Sequence, residues 1–131
     1  MELLYIGSLT NTVSKKIGFN FLSMKIKISN DFSVTPGPRF IKEGHYSGEL
    51  FLTKILREKY KQAISSNLKL MIDLDDTAGY ATSFLEESFG GLQREYPQRN
   101  ILKDIDFISN DEPDLISEIT DYINEAVSLP A

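Results

Sequence analysis

Ile72-Asp73-Leu74-Asp75-Asp76-Thr77-Ala78-Gly79-Tyr80-Ala81-Thr82-Ser83-Phe84-Leu85-Glu86-Glu87-Ser88-Phe89-Gly90-Gly91-Leu92 reads as a buried strand end, an acidic loop with one glycine, and a helix that begins at a hydroxyl residue. Leu68 to Leu74 is apolar enough for a central strand. In the helix, Phe84, Leu85, Phe89 and Leu92 fall on the inward face. Ser83 and Glu86 have the spacing of a capping box, and Glu86 and Glu87 suit the positive end of a helix. Gly90-Gly91 costs about 1 kcal/mol per residue relative to alanine inside a helix, so either the helix frays there or another element packs very close. A loop between a strand end and a helix start is where phosphate chemistry and partner recognition tend to sit.

Outward from this stretch, Lys25 to Ser29 alternates as a half-buried strand, with Ile26 and Ile28 on one face. Phe32 to Thr35 predicts a second short strand, Pro36-Gly37-Pro38 breaks it, and Arg39-Phe40-Ile41 resumes briefly. Ser47 is a good N-cap for a first long helix, in which Phe51, Leu52, Ile55, Leu56, Tyr60, Ala63 and Ile64 recur at helical spacing. That helix ends near Ser65-Ser66-Asn67. Ile101 to Ser109 gives a third core strand. A last helix is capped by Asp111, carries Pro113 in its first turn and has an apolar stripe of Leu115, Ile119, Tyr122, Ile123 and Ala126. Strands alternating with helices predict an α/β fold with a mixed or mostly parallel sheet. The expected architecture is about four to five strands with three to four helices packed on them. Residues 24–131 form the domain, and residues 1–23 are an N-terminal extension or an extra hairpin, with Met24 an alternative start.

Composition narrows the function. The 131 residues suffice for one core, and 41% hydrophobic and 25% charged content is ordinary for a globular protein. With no cysteine, disulfides, thiol catalysis and thiolate metal sites are excluded, and the single histidine, His45, excludes a multi-histidine metal site within one chain. No apolar run reaches the roughly 20 residues needed to cross a bilayer, and Glu2 before Lys15-Lys16 is the wrong charge order for a secretory signal. A cytoplasmic location is expected, with no membrane partner, no cofactor and no metal. Residues 1–70 hold 11 Lys+Arg against 5 Asp+Glu, and residues 71–131 hold 3 against 14. The acidic half repels nucleic acid phosphates and suits a basic protein surface; a homodimer is compatible with the same charges.

The loop has two chemical readings. Asp73-Leu74-Asp75-Asp76-Thr77 after an apolar strand resembles the Asp-x-Asp-x-Thr motif of haloacid dehalogenase-like phosphatases. In that alternative, Asp73 is the phosphoryl acceptor and Asp75 the general acid/base, with Mg²⁺ neutralising the carboxylates. That family places the motif near the start of its domain, whereas here 72 residues precede Asp73 and only 54 follow Thr77.

The second reading covers more of the chain. Gly37-Pro38-Arg39, Gly44, Ser47-Gly48-Glu49 and Phe51, then Ile72-Asp73-Leu74-Asp75, Gly79-Tyr80, Thr82-Ser83-Phe84-Leu85-Glu86-Glu87 and Phe89-Gly90-Gly91-Leu92 resemble the STAS-like domains of unknown function, relatives of the bacterial anti-sigma factor antagonists. The resemblance implies a strand-and-helix fold used in signalling as a protein–protein interaction module, not an enzyme. It implies a switch in which a histidine-kinase-like ATPase phosphorylates a hydroxyl at the helix start. Thr82 stands at that position and Ser83 follows it; the antagonists' Asp-Ser-Ser-Gly appears here as Ala81-Thr82-Ser83-Phe84. Thr82 and Ser83 are therefore the phosphorylation candidates. Asp75, Asp76, Gly79, Tyr80, Glu86 and Glu87 are the expected partner-binding residues around them.

Overall fold

A computed structural model describes residues 23–128. Three strands form one sheet: β1 (Ser23–Lys27), β2 (Lys69–Asp73) and β3 (Ile105–Ile108), in the order β1-β2-β3 with β2 central. Both pairings are parallel, with Ile26 beside Ile72 and Ile72 beside Phe107. Four helices accompany them: α1 (Ile28–Asp31), α2 (residues 48–65), α3 (residues 82–95) and α4 (Asp114–Ser128). Two 3₁₀ turns, Ile41–Glu43 and Ile101–Lys103, sit in the connections. The expected extension or hairpin of residues 1–23 lies outside the described residues apart from Ser23, which opens β1.

The α/β class and the alternation stand, and the strand count is corrected: the described residues hold three strands, not four to five, and all are parallel. Phe32 to Thr35 is not a strand because local bonds capture its backbone. The Phe32 and Ser33 N–H groups donate back to the Ile28 carbonyl (2.9 and 2.8 Å), and Thr35 N–H donates to Ser33 Oγ (2.9 Å), a side-chain turn that competes with sheet pairing. Residues 41–43 close as a 3₁₀ turn whose Glu43 carboxylate accepts from Phe40 N–H (3.0 Å).

Ser47 caps α2 as expected, accepting from Leu50 N–H (3.0 Å). Both long helices carry a π-helical segment, Leu52–Leu56 in α2 and Glu86–Gly90 in α3. They run side by side in one direction. A Cβ on Gly48 would lie 2.6 Å from the Phe84 carbonyl oxygen, one on Gly91 would lie 2.9 Å from Leu52 Cδ2, and Arg57 closes the far end of the seam with two bonds to Glu95 (2.9 and 2.6 Å). Gly91 therefore marks close packing against α2, whereas a Cβ on Gly90 would meet the Glu86 and Arg94 side chains of its own helix, and the helix continues through both to Glu95.

The core lies on one face of the sheet, where Ile26, Leu70, Ile72 and Ile105 meet Phe51, Tyr60, Phe84, Phe89 and Ile119. On the other face the in-register row of Lys25, Met71 and Asp106 has exposed charged residues at both edges. Phe51 stacks on Phe84 with centroids 5.9 Å apart, and Phe89 meets Phe107 edge-on at 5.4 Å. This aromatic layer supports the start of α3 from beneath.

Candidate partner-binding site

The corner between β2 and α3 sits at the carboxyl ends of the parallel strands, where open α/β sheets place their sites. Asp73 ends β2 and is 7% exposed. Its Oδ1 accepts from Asp75 N–H (3.0 Å), and its Oδ2 lies 3.5 Å from Lys27 Nζ and 3.7 Å from Lys25 Nζ. Asp75, 8% exposed, points toward the loop after β3. It accepts from Asn110 N–H (2.7 Å), Asp111 N–H (2.9 Å) and Asn110 Nδ2 (3.0 Å). Both oxygens are thus held by donors. The Asp111 backbone N–H first, with the two Asn110 bonds, holds the Asp75 carboxyl below the usual carboxylate range.

Asp76 takes a left-handed backbone (φ 69°). Its N–H donates to Asp111 Oδ2 (2.8 Å), and its carboxylate pairs with Lys27 Nζ (2.7 Å). Asp111 Oδ2 is therefore spent on the corner, against the expectation that Asp111 caps α4; the turn that leads into α4 starts instead with Leu115 N–H donating to the Glu112 carbonyl (3.0 Å). Ala78 N–H donates to the Val34 carbonyl (2.8 Å), and Gly79 follows with φ 122°, a backbone that favours glycine. Tyr80 turns inward, its hydroxyl donating to the Leu74 carbonyl (2.9 Å), and burial pushes that hydroxyl up to about 12.

The capping-box spacing of Ser83 and Glu86 is not used. The N-cap of α3 is Ala81, which offers no side-chain cap, and the first helical bonds run from Phe84 and Leu85 N–H to its carbonyl (3.0 and 3.3 Å). The N–H groups of Thr82 and Ser83 stand outside the helix ladder. Thr82 is exposed and Ser83 half-buried. Thr82 neighbours Tyr122 of α4, whose hydroxyl donates to Glu118 Oε2 (2.7 Å); burial first, then the Glu118 carboxylate, pushes that hydroxyl up to about 12.

Glu86 and Glu87 are cross-linked to the loop before α2. Arg39 Nη1 reaches Glu86 Oε1 (2.5 Å) and Glu87 Oε1 (3.3 Å), and Arg94 Nη1 donates to Glu86 Oε2 (2.6 Å). Arg94 first, then Arg39, holds the Glu86 carboxyl below its ordinary range. The structure thus brings Gly79, Thr82, Ser83, Glu86 and Glu87 to one corner and turns Asp75 toward the neighbouring loop. Among the described residues no group of three or more Asp, Glu or His side chains is arranged to hold a metal, and no helix is long and apolar enough to cross a membrane.

A family model described as the STAS-like domain of unknown function (DUF4325) matches residues 47–115. The chain belongs to this STAS-like family. The matched span runs from the Ser47 cap through α2, β2, the corner, α3 and β3 to the start of α4, so it contains the whole candidate site except Lys25, Lys27, Val34, Arg39, Glu118 and Tyr122. No curated protein and no solved structure matches the chain.

Sequence reasoning passed over three groups that build the site of this STAS-like domain: Arg39, the Asn110–Asp111 backbone and Tyr122. Asn110 had a usable signal, an amide residue just past a core strand and level with a strand-end carboxylate. The pairing of Arg39 with residues 47 and 48 positions away carried none.

The depressed carboxyls of Asp75 and Glu86 set a pH dependence. A folded value below the unfolded one contributes stability that is fully present above the unfolded carboxyl, near 4, and is lost as pH falls through that value toward the folded one. Urea midpoints are expected to hold from pH 7 to about 5 and to fall steeply below about 4. The decline is expected to be shallower in Asp75→Asn; an acid limb of unchanged slope in that variant would remove Asp75 from the account.

Proposed function

We propose that this STAS-like chain is a non-catalytic regulatory module. It holds a partner protein at the Gly79–Glu87 corner and is switched by phosphorylation of Thr82, with Ser83 as the second candidate, by a histidine-kinase-like ATPase in the cytoplasm. The observation that carries the reading is Thr82 itself: an exposed hydroxyl-bearing residue at the first position of α3, beside an N-cap, Ala81, that makes no side-chain cap. A phosphate there gains the two N–H groups outside the ladder and the positive end of the helix. It also adds charge beside Glu118 of α4, across Tyr122. The same group is thus attracted to α3 and repelled by α4, so adding it changes how the two helices present themselves to a partner.

The phosphatase alternative finds no support at the same residues. A general acid must be free to exchange a proton, and Asp75 is locked by three donors that favour its charged form. The test is incubation with a candidate histidine-kinase-like ATPase and labelled ATP, followed by mass spectrometry. One phosphate per chain is expected, lost in Thr82→Ala and retained at half or more of its level in Ser83→Ala. Absence of label on the unaltered chain, or label that survives the double replacement, would overturn the switch.

A further inference from the structure

Tyr122 links the two helices that border the corner. It lies on α4, one turn after Glu118, and its hydroxyl donates to Glu118 Oε2 (2.7 Å). Burial, then Glu118 and Glu125, hinder ionisation of that hydroxyl, whereas the Thr82 side chain, reaching it from α3 as a hydrogen-bond partner, eases it. Thr82 is exposed, and Tyr122 and Glu118 are half-buried.

The acids of the first turns of α3 are engaged elsewhere. Glu86 runs along the helix toward Gly90, where a Cβ would lie 2.7 Å from Glu86 Oε2, and its carboxylate is held by Arg39 and Arg94. Glu87 Oε1 also faces Arg39 (3.3 Å). Tyr122 is thus the donor that α4 sets beside Thr82, and Glu118 is the acceptor that occupies it.

A phenol has one proton to donate. In the unmodified chain Glu118 accepts it. Modification of Thr82 brings a second acceptor. When the γ-phosphoryl group of ATP passes to Thr82 Oγ1, an O–P bond forms there, the bond to ADP breaks, and the hydroxyl proton goes to solvent. The threonine loses its own donor and gains three acceptor oxygens with about −1.5 to −2 charge at pH 7. The phosphate is also the more basic acceptor, with a second ionisation at about 6 against about 4 for a glutamate. A charged and more basic acceptor makes the stronger hydrogen bond.

We infer that Tyr122 reads the phosphate: on phosphorylation of Thr82 its hydroxyl leaves Glu118 for a phosphate oxygen, and the freed Glu118 carboxylate, now beside a like charge, turns toward solvent on α4. This inference rests on the modification proposed above and adds where its effect is felt. Asp114 and Asp121 are exposed one turn to either side of Glu118, so its release lengthens one run of negative charge on α4. A group added to α3 is thereby displayed on the neighbouring helix. Glu118 and Tyr122 both lie past the matched span of residues 47–115.

The test uses the full chain with phosphothreonine installed at position 82 during translation, so that no kinase takes part. The second ionisation of the phosphate is followed by ³¹P NMR and the Tyr122 ring carbons by ¹³C NMR, between about pH 4 and 8. A hydrogen bond from Tyr122 favours the dianion. In Tyr122→Phe the phosphate is therefore expected to ionise about half a unit higher, roughly a threefold gain in proton affinity. With Tyr122 present, its ring carbons are expected to titrate with the phosphate, at about pH 6, rather than with Glu118, at about 4. Equal phosphate ionisation in the two chains, or ring carbons that follow Glu118 alone, would overturn the inference and leave the modification standing. Failure of the ATPase to label Thr82 would overturn the modification and leave these titrations as they are.

Discussion

Replacing Phe89 by alanine is expected to lower unfolding stability by about 3–5 kcal/mol, the largest effect of any single truncation around the site. Phe89 has no exposed surface. It lies in the π-helical segment of α3 and touches Phe51 of α2 at 6.3 Å and Phe107 of β3 at 5.4 Å between centroids. Its ring therefore ties both long helices to the sheet. The cavity left behind cannot close easily, because three separate elements define its walls and each is held by bonds of its own. Urea denaturation with an unchanged m-value is the measurement. A loss under about 1.5 kcal/mol would mean that the layer repacks and that α3 is anchored elsewhere.

Gly48→Ala is expected to cost about 1–3 kcal/mol, whereas Gly91→Ala is expected to stay within about 1 kcal/mol of the unaltered chain. The chemistry is the same in both cases and the neighbours differ. A methyl on Gly48 meets backbone, the Phe84 carbonyl oxygen at 2.6 Å and Phe84 Cα at 3.1 Å. Neither atom can rotate away, so the two helices must separate at the end where α3 begins. Ser88 Oγ, which donates to the Gly48 carbonyl (3.4 Å), loses its partner in the same movement. A methyl on Gly91 meets the far end of one leucine side chain, Leu52 Cδ2 at 2.9 Å, which can turn, and alanine favours the helix by about 1 kcal/mol. Parallel denaturation of the two variants decides the matter. Equal costs would show that the seam yields uniformly and that Gly48 does not hold the start of α3 in place.

Much of this fold is legible in the order of residues. The Ser47 cap, the apolar stripe of α2, the run before Asp73 and the inward face of α3 each express a local preference that the tertiary structure keeps. The stretch from Phe32 to Glu43 is not legible in that way. Its pattern suits strands, but the Ser33 hydroxyl and the Glu43 carboxylate take up backbone N–H groups that a sheet would have needed. The helix start misleads for a related reason. Ser83 and Glu86 have the right spacing for a cap, but Glu86 is drawn away by Arg39 and Arg94, stronger charge-assisted partners. Asp73 and Asp75 share a motif with a phosphoryl-transfer site, and only the position of Asn110 reveals that Asp75 is an acceptor for the next loop. At each of these points the deciding partner is distant in sequence, or a charged side chain overrides a local rule.

The parallel order of the sheet also governs how the chain reaches its native state. Ser23 pairs with Lys69 and Leu70 with Ile105, so neither ladder contains a hairpin that could zip from a tight turn. Each must wait for a helical crossover to be made and laid against the growing core, which makes folding slow relative to chains rich in local contacts. On a ribosome β1 would emerge long before β2 and spend that interval as an unpaired edge. The lysines at positions 25 and 27 keep that edge charged during the wait, a safeguard against premature association with other nascent chains.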